Sequence, residues 1–222
     1  MEQLTIDLLR WLHILSGSLA LLAGPIAMFN QDGGKTHRLS GKIYVWSMYV
    51  IFITSTSLSI YRSNLFLFLI GIFSMYLVIG GHRALSLKLL HKGQKAARID
   101  WAILMISAVA GIGLVAMGIY LILAKSNSAG LVPGIFGLIM LSGTRQDYKR
   151  YTVPPTQKNH WLLKHISGMM GGYIATVTAF LVNNWQTDPP FISWLLPTVI
   201  ITPFIVIISR KFQRGSGKVQ LP

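Results

Sequence analysis

Seven runs of apolar residues separated by short polar stretches dominate this chain. They cover Thr5 to Phe29, Leu39 to Tyr61, Leu65 to about Leu85, Trp101 to Leu123, Leu131 to Gly143, Trp161 to Asn183 and Phe191 to Ile208. A helix needs about 20 mainly apolar residues to cross the ~30 Å hydrocarbon core of a bilayer. Six of the runs approach that length. The fifth reaches only about 20 Å at ~1.5 Å per residue, and it spans the core only by borrowing Asn127 to Gly130 and Thr144 to Tyr148. Gly130, Pro133, Gly134 and Gly137 loosen its outer half, so the run reads either as a short buried helix or as a broken one lining a cavity. Pro197 and Pro203 predict kinks in the last helix, and Asp188-Pro189-Pro190 predicts a tight turn before it. The pattern predicts an all-α, polytopic membrane helix bundle of about seven transmembrane helices, forming one integral membrane domain over residues 1–222.

Charge sets the orientation. Charged residues make up only 12% of the chain and hydrophobic ones 52%, too few charges to solubilise a globule of this size. The net charge of +14 would suggest nucleic acid in a soluble protein. Here the basic residues sit in short loops between apolar runs, so no nucleic-acid partner is expected, and the expected partner is the lipid bilayer. Alternate loops and the tail carry Lys35, Arg38, Lys42, Arg83, Lys88, Lys92, Lys95, Arg98, Arg145, Lys149, Arg150, Lys158, Lys164, Arg210, Lys211, Arg214 and Lys218. The opposite side holds only Arg10, Arg62 and Lys125. The positive-inside rule then predicts the amino terminus outside and the carboxyl terminus in the cytoplasm, in a multi-pass protein of the cell membrane, a bacterial inner membrane by this reading. Glu2 and Asp7 argue against a basic signal-peptide start. The absence of cysteine excludes disulfides, thiolate metal sites and thiol catalysis.

Candidate chemistry rests on histidines and hydroxyls. The carboxylates Glu2, Asp7, Asp32, Asp100, Asp147 and Asp188 all read as helix-end or loop residues, which weakens a proton-relay reading. Asp100 is expected to cap the fourth helix. His13 is expected about 12 Å below the outer surface, facing the bundle, where an ionisable side chain is a functional-site candidate; the alternative is a neutral imidazole bonded to a neighbouring helix. His37 precedes the second helix, His82 ends the third, and His160 and His165 begin the sixth, so all four share the cytoplasmic end. His165 with His37 or His82 opposite it could supply the two histidine ligands of a haem b. His160 and His165, about 140° apart around one helix, cannot easily serve one centre. His91 lies in a basic loop and is expected to be solvated. No spacing suits a zinc site. In the outer half, His13, Ser16 and Ser18, the Thr54-to-Ser59 run, Tyr173, Thr176 and Thr178 could line a polar pocket open to the outside; the alternative is interhelical packing by hydroxyls.

Several runs carry a family resemblance: His13-Ile-Leu-Ser-Gly-Ser, Gly33-Gly34-Lys-Thr-His37-Arg38-Leu-Ser-Gly41-Lys-Ile-Tyr44, Gly80-Gly-His-Arg-Ala-Leu85, and His165-Ile-Ser-Gly-Met-Met-Gly-Gly-Tyr173. Together they resemble the predicted bacterial membrane proteins grouped as domain of unknown function 2306. The resemblance implies the same fold and points to His13, His37 and His165, but implies no particular reaction. Those proteins often carry tryptophan where His82 stands. Three functional classes follow: a small-molecule binder or transporter using His13, His37, His165, Tyr173 and Thr178; a haem-based redox protein using His37 and His165; or an accessory membrane subunit.

Overall fold

The computed structural model describes residues 2–30 and 33–216. Asp32, Lys218 and Pro222 lie outside the described residues. Seven α-helices are described: α1 (Glu2–Phe29), α2 (Lys35–Tyr61), α3 (Leu65–Arg83), α4 (Arg98–Lys125), α5 (Leu131–Thr152), α6 (His160–Asn184) and α7 (Phe191–Ser216). Single 3-10 turns at Ala84–Ser86, Leu90–Lys92 and Ser128–Gly130 complete the connections. Among the described residues there is no strand. All helices but α5 are long and apolar enough to cross a membrane.

Burial is distributed as in a membrane protein. Large apolar side chains face outward along whole helices, as with Met105, Ile106, Val109, Ile112 and Leu123 on α4. Meanwhile Ser16, Thr54, Ser107, Thr144, Asp147 and Thr178 are buried. In water that arrangement would expose far more apolar surface than a soluble monomer tolerates; in lipid it is the expected one. The protein is a helical membrane bundle. One cluster of buried side chains joins α3, α4 and α5 (Phe73, Leu114, Phe136, Met140). A second joins α1, α2 and α3 (Ala20, Tyr44, Met48, Val78).

The structure corrects the expected bounds of α5. It is one continuous helix of 22 residues, about 33 Å long at ~1.5 Å per residue, and neither short nor broken. Pro133 lies in its first turn, where a missing N–H costs nothing. The polar stretch Arg145 to Thr152, expected as loop, is its last two turns. Glycine explains how this helix sits so near α4. A Cβ at Gly118 would come within 2.7 Å of the Gly134 nitrogen, and one at Gly137 within 2.8 Å of the Val115 nitrogen. Backbone meets backbone along this contact, as small residues permit in membranes. The helix starts at Lys35 and His160 likewise move His37 into the first turn of α2 and His160 into the first turn of α6.

Candidate functional site

The end of the bundle that carries most of the basic residues, expected to be the inner one, is organised by one contact between α3 and α6. A Cβ on Gly81 would lie 2.8 Å from the Met169 nitrogen, and one on Gly168 would lie 2.6 Å from the Gly81 Cα. Only glycine at both positions lets the two backbones touch. Residues just before Gly168 on α6 are thereby held against the last turns of α3. Successive helical residues point about 100° apart, so Lys164 and His165 leave α6 on different sides and enter two different polar clusters.

His165 enters the first cluster. Its Nδ1 donates to the Gly81 carbonyl at 3.0 Å. His37 Nδ1 donates to the Ala27 carbonyl at 2.9 Å. Ala27 is in the last turn of α1 and Gly81 in the last turn of α3, where carbonyls run out of intrahelical partners. A carbonyl only accepts, so each neutral ring carries its proton on Nδ1 and keeps its lone pair on Nε2. The two ring centroids are 6.3 Å apart at an interplanar angle of 65°. Capping of helix ends accounts for each Nδ1 bond, but not for bringing two imidazoles from different helices face to edge. A Cβ at Gly41, one turn along α2 from His37, would meet nothing within 4 Å. His82 lies nearby on α3 but is exposed.

Lys164 enters the second cluster, on the α5 side. Its Nζ donates to Asp147 Oδ2 at 2.6 Å, and the Tyr76 hydroxyl donates to the same oxygen at 2.6 Å. Arg150 Nη1 reaches Asp147 Oδ1 at 3.3 Å. Asp147 is 2% exposed and sits about 7 Å inside the end of α5, which overturns its expected place in a loop or at a helix end. Beside this group, Arg83 grips Asp100 with two parallel bonds, Nε to Oδ1 at 2.8 Å and Nη2 to Oδ2 at 2.9 Å. Asp100 Oδ2 also accepts from the Ala97 N–H at 2.8 Å. The expected cap of α4 is therefore present, and it also anchors an ion pair to α3. His160, 7% exposed, lies against Arg150, whose Nη2 approaches its Nδ1 at 3.5 Å. The His91 ring centroid is 5.6 Å from that of His160. His91 is half-buried and is not the solvated loop residue expected, because the 3-10 turn at Leu90–Lys92 folds it against α6.

The outer residues bond to neighbouring helices. His13 does face the bundle, with Nδ1 at 2.9 Å from the Thr54 hydroxyl on α2. Thr54 also bonds back to the Val50 carbonyl at 2.8 Å. Tyr173 turns to α1: its hydroxyl donates to the Leu21 carbonyl at 3.2 Å, and its ring fills the space that a Cβ on Gly24 would need. Thr176 bonds the Gly172 carbonyl at 3.0 Å and meets the Tyr44 hydroxyl at 3.4 Å. Thr178 is 3% exposed, and its hydroxyl has no partner. A cavity of about 240 Å³ at this end is lined by Phe66, Met117, Val132, Pro133, Phe191 and Trp194, among others, and is apolar.

Tyr76, Asp147 and Lys164 were not foreseen as a group. The signal was present in α5, where Val132, Phe136, Met140, Thr144 and Asp147 recur every three or four residues and are all buried. Carrying that stripe past Gly143 puts the carboxylate on the inner face. Among the described residues, no three His, Cys, Asp or Glu side chains converge as a metal-ligand set. No family model, curated protein or solved structure matches this chain.

Proposed function

We propose that the protein is a haem-binding redox protein of the membrane, with His37 and His165 as the axial ligands at the cytoplasmic end. The observation that carries this reading is the pair of rings 6.3 Å apart, each tied through Nδ1 to a main-chain carbonyl. Ligating histidines characteristically donate their other ring N–H to a carbonyl or carboxylate, which fixes tautomer and orientation.

The donor set favours haem over a bare ion. Structural zinc takes four protein ligands, and only two converge here among the described residues. Haem would need only two ligands from the protein, and His37 and His165 would supply them. When bound, the group supplies one-electron chemistry. The chain's own part is to present two imidazoles and to hold them through the ends of α1 and α3. Kinship with domain of unknown function 2306 is part of this proposal and rests on the motifs around these histidines. The test is the reduced-minus-oxidised absorption spectrum of protein purified from a haem-replete host. A haem band is expected in wild type and in His13→Ala, and is expected to be lost in His37→Ala and His165→Ala. No band in wild type, with none gained on titration with haemin, refutes the reading.

A second reading, a binder or transporter of a small molecule entered from outside near His13, is favoured by the buried, unpartnered Thr178 hydroxyl in the outer half of α6. Its support is weaker, because the Tyr173 hydroxyl expected in the same pocket is bonded to α1.

A further inference from the structure

The second inner cluster carries more positive charge and more donors than it can satisfy. Arg83, Arg150 and Lys164 face only two carboxylates, Asp100 and Asp147, among the described residues at this end. The Arg83–Asp100 pair is bidentate and closed on itself. Arg150 and Lys164 are left to share Asp147, and the nearer partner is Lys164, at 2.6 Å against 3.3 Å. Arg150 is therefore an under-compensated cation whose side chain is only 18% exposed. A charge in such surroundings is costly unless it is paired.

Hydrogen bonding tells the same story independently. Arg150 Nε and His160 Nε2 are both buried and both lack a partner. His160 Nδ1 faces a guanidinium, which can only donate, so Nδ1 accepts and the ring proton sits on Nε2. Both orphan atoms are thus N–H donors, on two side chains in contact. The nearby Lys88 carbonyl accepts from His91 Nδ1 at 3.0 Å and keeps a second lone pair within reach of the His160 ring, so the Arg150 Nε–H is the donor in greater need of an acceptor. Buried donors without an acceptor are rare in folded proteins and call for a missing acceptor. The neighbours are suited to one that is negatively charged. Lys88, whose ammonium stands 4.6 Å over the Trp161 ring, adds a second cation at the rim.

The geometry points to a binding site for a phosphate group at the cytoplasmic face, formed by Arg150 and His160 and bordered by Lys88 and His91. A planar guanidinium beside an imidazole N–H suits tetrahedral phosphate oxygens. The phosphate could be the headgroup of an anionic lipid or a free phosphate, and the site is independent of the histidine pair on the other side of α6.

The test uses the full chain purified in an uncharged detergent. One arm measures the thermal midpoint in inorganic phosphate against chloride at matched ionic strength. The other compares nanodiscs of phosphatidylglycerol with nanodiscs of phosphatidylcholine. A rise in both arms assigns the site to phosphate in general, and a rise only with phosphatidylglycerol assigns it to a lipid headgroup. His160→Gln and Arg150→Gln should each abolish most of the rise. Should Arg150→Gln fail to fold, His160→Gln carries the comparison. Saturable broadening of the phosphorus-31 resonance by wild type supplies a readout that needs no variant when phosphate itself is the ligand. No rise in either arm overturns the site, as does a rise that persists undiminished in His160→Gln.

Discussion

Removing the Asp147 carboxylate should be among the most damaging single changes in this protein. Asp147→Ala takes away the acceptor of Lys164 and Tyr76, each at 2.6 Å, and the counter-charge of Arg150. Breaking a buried ion pair by removing one partner costs about 3–5 kcal/mol, and an orphaned buried hydroxyl adds about 1–3 kcal/mol. The expected loss is therefore roughly 4–8 kcal/mol, a thousandfold or more in the folding equilibrium at about 1.4 kcal/mol per tenfold. Lys164→Met should cost much less, about 1–3 kcal/mol, because Asp147 keeps Tyr76 and Arg150. In the double variant the lysine that Asp147→Ala had stranded is gone. It should be more stable than Asp147→Ala alone, with a coupling energy of at least about 2 kcal/mol. Equilibrium unfolding in mixed micelles of mild detergent and dodecyl sulfate measures all four corners of the cycle. Strict additivity of the two single changes would show that the 2.6 Å contact carries no coupling and that the buried pair is not a pair in the folded protein.

Glycine substitutions should separate contact from open space. Gly168→Leu collides with the Gly81 backbone, so it should cost at least the ~1–3 kcal/mol of overpacking and, by prising α6 from α3, also abolish haem retention. Gly17→Ala meets nothing within 4 Å and should leave stability unchanged or raise it by up to about 1 kcal/mol; thermal unfolding of both variants checks this. For topology, a reporter active only in the cytoplasm and fused after Pro222 should be active, while a reporter active only outside should be silent there. The reverse result would invert the bundle and put both polar clusters on the external side.

Much of the architecture was legible because a bilayer leaves few options: backbone polar groups must be satisfied within each segment. Long apolar runs and alternating basic loops therefore mark the helices almost one by one. The α5 helix was harder to read. Its membrane-facing apolar run stops at Gly143, yet Arg145 to Thr152 stays helical, held by packing against α3 and α6 through Asp147 and not by local hydropathy. The meeting of His37 and His165 was legible because both lie at inner helix ends, and depth along a spanning helix is a simple function of residue number. Which way Tyr173 points was not, since its outcome depends on a glycine on another helix, Gly24, leaving room for the ring. The Arg83–Asp100 clamp was half visible. Helix capping predicts an acidic residue at position 100, but nothing local to α4 reveals an arginine arriving from α3.

The most direct test of the paired imidazoles is electron paramagnetic resonance of the oxidised protein loaded with haem. Two histidine ligands, His37 and His165, predict a low-spin ferric signal in wild type. Removing either one by substitution with alanine should replace it with a high-spin signal or lose the haem altogether. A wild-type protein that retains no haem, or a low-spin signal that survives unchanged in both variants, would contradict the account.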